Sequence, residues 1–177
     1  CYALKTIFTL NQWDELTEDD KKNWGQYINS FQENYKNFPE NSFIDHKYIN
    51  GFNKFNLKNL GKESIKKTLN TFSNSKYEMR NKQLHSFVRA ESKQAIATLR
   101  QVQLKNSKPY LEFPTKKEHI SNYLDNFNWN KPWSSGAQYS GLCVYGATQI
   151  PKENFLKIKN DLKEYIEKKV NESDGCY

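Results

Sequence analysis

Apolar residues in this chain recur at helical spacing from one end to the other, and no segment alternates convincingly with period two. The clearest stretch places Trp24, Tyr27, Ile28, Phe31 and Tyr35 at i, i+3, i+4, i+7 and i+11, one stripe of a helical surface. Thr17-Glu18-Asp19-Asp20 precedes it, a hydroxyl cap followed by acids suited to the positive end of a helix dipole. Pro39 is expected to close this element, and the Asn- and aromatic-rich stretch from Pro39 to Gly61 reads as a long ordered loop. Further helices are expected over 1–12, 62–72, 77–104, 117–127 and 134–149. A last one starts at Pro151 and carries Phe155, Ile158, Leu162, Tyr165, Ile166 and Val170 on one face. The fold class is all-α.

Composition agrees with a packed helical domain. Hydrophobic residues make up 36% of the 177, but 15% are aromatic, enough to build a core where aliphatic side chains are scarce. Seven glycines and five prolines are too few for a sandwich with a turn every ten or so residues. No apolar run approaches the ~20 residues of a membrane span. The net charge of +7 invites a nucleic-acid reading, but only Arg80, Arg89 and Arg100 are arginines, and the lysines are interleaved with acids; no nucleic-acid groove is expected. Cys1, Cys143 and Cys176 lie too far apart for a disulfide framework or a zinc site. With three scattered histidines, no metal and no cofactor is expected. Cys143 reads as a small residue packed within a helix.

A weak repeat is present. Tyr27-Ile28-Asn29-Ser30-Phe31-Gln32 leads through a turn to Phe43-Ile44-Asp45, and Tyr165-Ile166-Glu167 leads to Asp174-Gly175-Cys176-Tyr177. An amphipathic helix followed by a turn cannot bury its own face, which points to a stacked or circular array of helix hairpins.

These residues carry a resemblance. Trp24, Tyr27–Gln32 and Phe43-Ile44-Asp45 together resemble the helix-then-turn unit of bacterial α/α-toroid proteins. Those proteins include terpenoid-cyclase and prenyltransferase-like barrels and the helical domains of polysaccharide lyases and heparinase-like enzymes. Arg89–Leu99 and Trp129–Gln138 are similar to stretches in a subgroup of the same proteins. The chain departs from the pattern at Asn41-Ser42, where glycine is preferred. It also lacks the Asp-x-Asp-Asp motif of cyclases, since Asp14, Asp19 and Asp20 sit at a helix start. The resemblance implies an incomplete (α/α) toroid. With about seven helices, too few to close a ring, residues 1–177 are expected to be one helical domain, part of a larger barrel cut at both ends.

Candidate site residues fall in three places. On the long helix Glu91 lies on the stripe of Leu84, Phe87, Val88, Ala95, Leu99 and Val102. There desolvation would raise its pKa toward that of a general acid, or an interhelical partner would satisfy it. His85 and Arg89, four apart, flank that stripe and could meet an anionic or sugar substrate, or pair between helices. Near Lys131-Pro132, Trp129 and Trp133 offer indole faces to a sugar or an isoprenoid, and Gln138, Leu142, Tyr145 and Gln149 form a stripe that could line a pocket or pack between helices. Asp45, with His46 and Tyr48, sits in the long loop, where a binding residue is well placed.

The leading expectation is a carbohydrate-active or carbohydrate-binding protein of bacterial polysaccharide metabolism, with a saccharide or other small molecule as ligand. Trp129 and Trp133 would stack, Gln138 and Arg89 would hydrogen-bond, and Glu91 or His85 would move a proton. A helical scaffold and a cyclase-like enzyme are the alternatives.

Overall fold

A computed structural model describes residues 1–54, 56–72, 77 and 79–169. Among the described residues it contains eight α-helices and one two-stranded ribbon. The helices are α1 (Tyr2–Thr9), α2 (Glu18–Asn29), α3 (His46–Asn53), α4 (Leu57–Phe72), α5 (Arg80–Gln101), α6 (Lys117–Asp125), α7 (Pro132–Gln149) and α8 (Lys152–Glu167). Val170 and the turn of the second repeat copy, residues 174–177 with Cys176, lie outside the described residues. The chain is all-α in character.

Local chemistry accounts for some of the boundaries. Thr17 caps α2 by accepting from the Asp20 N–H at 3.1 Å, with Glu18, Asp19 and Asp20 in the first turn as expected. Pro132 stands in the first turn of α7, where its missing N–H costs nothing. Pro151, expected as the first residue of the last helix, is instead the extended residue before it.

Two expectations fail in one region. Helix α2 stops at Asn29 rather than Pro39, because the chain leaves it to form β1 (Gln32–Glu33), antiparallel to β2 (Ser42–Phe43). The stretch 39–61 is not a long loop. Asp45 accepts from the Tyr48 N–H at 3.0 Å and caps α3, and α4 starts at Leu57 rather than Lys62. In α3 Ile49 is buried, and Phe52 is half-buried on the same face against the cluster of Ile44, Leu84 and Val88.

Helix α5 is the axis of the core. It packs on α7, β2 and α1, while α8 packs on α6 and α7. Its inward face is Leu84, Val88, Ser92, Ala95 and Leu99, with Ile96 and Thr98 beside them. The stripe is therefore rotated from the one expected: Ser92 lies at its centre, and Glu91 is half-buried on the flank. Buried Ser92 accepts from the Phe43 N–H at 3.0 Å, tying β2 to the helix.

A seam of uncharged amides holds residues 105–110 in place. Asn29 bonds the Lys105 carbonyl and the Ser107 N–H, and buried Gln32 spans the Asn41 and Lys108 carbonyls with one end and takes the Lys108 N–H with the other. Gln149 completes it, accepting from the Tyr110 N–H at 3.0 Å and exchanging bonds with the Asn106 amide.

Candidate ligand-binding cleft

Helices α5 and α7 and the segment between Tyr110 and Tyr123 enclose a cleft of about 190 Å³. Four-residue spacing puts Arg89 and Lys93 on one exposed flank of α5, and Ser134 and Gln138 on the facing flank of α7. Gly141 lets the helices close: a Cβ there would meet Lys93 Cδ at 3.3 Å, so the lysine stem lies across the bare backbone. The ammonium then reaches the Ala137 carbonyl at 3.1 Å and Ser140 Oγ at 3.3 Å. Burial pushes the Lys93 pKa down.

Opposite lies an aromatic floor. Tyr110 and Tyr145 meet at 4.7 Å between ring centroids, and Phe113 stacks on Tyr145 at 5.3 Å. Tyr145 donates its hydroxyl proton to the Arg89 carbonyl at 2.9 Å. Burial pushes the Tyr110 pKa up to about 12 and raises those of Tyr123 and Tyr145 as well. These phenols are neutral hydrogen-bonding groups at neutral pH and do not serve as bases. The Tyr110 hydroxyl is fully buried beside the Tyr145 hydroxyl, which interacts with it. The carboxylate lining the cleft is Glu112, half-exposed and 3.6 Å from the Arg89 guanidinium, a loose pair that a ligand can displace.

Of the residues singled out from sequence, Arg89, Gln138 and Tyr145 come together here. The others do not. Glu91 and Asp45 line a separate hollow of about 100 Å³ with Phe31, Phe43 and Ile44. The Glu91 pKa is raised by burial, and the Asp45 charge adds to the shift. Asp45 is the α3 cap rather than a loop residue. The half-buried ring of His85 packs on Phe38 at 4.9 Å. Trp129 donates its indole N–H to the Leu124 carbonyl at 2.9 Å and packs on Phe127 and Tyr165. Trp133 is 92% exposed in the first turn of α7, and Gln149 belongs to the amide seam. Lys93, Tyr110, Glu112, Tyr123 and Ser134 are not among the residues that the sequence singles out for a site. The i, i+4 spacing from Arg89 is a signal for Lys93 alone.

Set against protein-family models, curated proteins and solved structures, the chain matches none of them.

Proposed function

We propose that this chain is a saccharide-binding helical domain whose α5–α7 cleft takes an acidic sugar. The observation that carries the reading is the convergence of Arg89, Lys93 and Gln138 on one cleft floored by the rings of Tyr110 and Tyr145. Two cations suit a carboxylate, and the amide and hydroxyls suit neighbouring ring hydroxyls. The aromatic floor offers apolar faces to the C–H side of a pyranose. The proposal is binding rather than bond cleavage. Glycoside hydrolysis generally uses two carboxylates across the scissile bond, whereas Glu112 is the one carboxylate among the described lining residues. The incomplete (α/α) toroid belongs to the same proposal, supported by α7 and α8, which are neighbours in sequence and pack on each other. A scaffold role is favoured by Trp129 and Gln149, both of whose polar groups are engaged within the protein.

Calorimetric titration with hexuronate oligosaccharides and with neutral maltose oligomers tests the reading. Saturable binding of the acidic series alone is expected, weakened at least ~10-fold in Arg89→Ala by loss of a charge-assisted hydrogen bond. Equal affinity for both series, or an Arg89→Ala chain that binds as tightly, overturns it.

A further inference from the structure

Helix α4 presents the wrong face to its own protein. Among its 16 residues none is buried, and the half-buried ones are polar: Asn59, Glu63 and Lys66. Glu63 accepts from the Arg80 N–H at 2.9 Å, and Asn70 bonds the N–H and carbonyl of Tyr77, so these two side chains moor the helix to the start of α5. Leu57 (75% exposed), Leu60 (52%), Ile65 (61%) and Phe72 (84%) point the other way, with Leu69 at the edge of the same arc. At ~100° per residue, the centre of that apolar arc lies roughly 180° from the mooring face.

The outward half has the chemistry of a surface meant to be dehydrated. The Thr68 and Thr71 hydroxyls within the arc donate to the Ser64 and Lys67 carbonyls of their own helix, at 3.1 and 2.9 Å. Their burial therefore strands no proton donor. Lys62 borders the arc on one side and Lys67 on the other, Lys58 stands within it near the start, and the helix's one acid, Glu63, is held on the opposite face. Long lysine stems at both margins can lie along apolar material while their ammonium groups reach an anionic layer.

We propose that α4 docks this protein onto an anionic lipid leaflet, lying in the plane of the surface with Leu57, Leu60, Ile65 and Phe72 among the acyl chains and Lys58, Lys62 and Lys67 at the phosphates. Charge selects this occupant. A second copy would set lysine margin against lysine margin, whereas an acidic headgroup plane meets both margins at once. No described helix is long and apolar enough to cross a membrane, and at about 24 Å α4 is suited to rest on one.

Cosedimentation of the full chain with extruded vesicles tests this. Vesicles of phosphatidylcholine mixed with phosphatidylglycerol should retain the protein, and pure phosphatidylcholine should not. The double change Ile65→Asn with Phe72→Ser should cut partitioning at least ~10-fold at an unchanged melting temperature, since both side chains are exposed. Charge reversal in Lys62→Glu with Lys67→Glu, whose stems are not buried, should lower it by roughly fivefold or more per site. The proposal is overturned by equal retention on neutral vesicles or by full retention of the Ile65→Asn, Phe72→Ser chain. It is overturned equally by a dimer in sedimentation that those substitutions dissolve, or by tighter capture on an acidic amphipathic peptide than on vesicles.

Discussion

Helices α4 and α5 follow one another in the chain, are both amphipathic, and sit in opposite senses. Helix α5 turns Leu84, Val88, Ala95 and Leu99 inward and leaves Arg89 and Lys93 at the cleft. Helix α4 turns Asn59 and Glu63 inward and leaves its leucines, Ile65 and Phe72 outside. Periodicity reports that a helix has an apolar side. What that side faces is decided by the polar anchors, Ser92 to Phe43 in one case and Glu63 to Arg80 in the other.

The largest expected contrast is in stability. Leu99→Ala, at a site with no exposure, should lower the unfolding free energy by about 2–5 kcal/mol through the cavity it leaves, while Ile65→Ala should change it by less than about 0.5 kcal/mol. Urea melts of the two variants check this, and a comparable loss in both would place the α4 arc inside the fold. Next in size are the polar anchors. Ser92→Ala should cost about 1–3 kcal/mol by stranding the buried Phe43 N–H, whereas Asn59→Ala, half-exposed on α4, should stay near zero.

The smallest effect is in pH dependence. Glu91 has a folded-state pKa raised above its unfolded value of 4.5, so between those two values the folded chain holds more protons than the unfolded one. Stability from this group is therefore greatest in acid and falls as pH rises through the folded-state pKa. Glu91→Gln should remove that descent and raise the melting temperature slightly at neutral pH, measured against wild type across a pH series. An unchanged profile would place Glu91 in solvent.

Much of the helical framework was legible because caps and prolines act locally: Thr17, the acids after it and Pro132 mark their boundaries without tertiary help. The end of α2 was not, since Phe31 and Tyr35 continue the helical spacing while the ribbon to Ser42–Phe43 and the tether of Gln32 to Lys108 override it. Helix α3 was hidden because its eight residues are too few for the shared face of Tyr48, Ile49 and Phe52 to repeat. At the site, Arg89, Gln138 and Tyr145 were found from helical spacing, but Tyr110 comes from a connection with no period to read. Trp129 and Trp133 look like a pair in sequence. The turn at Lys131-Pro132 separates them, sending one indole against Phe127 and the other into water. Nothing in a string of residues states which way a chain turns between two rings.

The amide seam gives the cleft two parts that answer differently to their surroundings. Its links, Asn29, Gln32, Asn106 and Gln149, neither gain nor lose a proton near neutrality and attract no counter-ion, so acid and brine leave the strap beneath Tyr110 where it is. The Arg89–Glu112 contact above it is screened by salt. High salt would therefore loosen the charged mouth of the recess while its tyrosine bed keeps its shape.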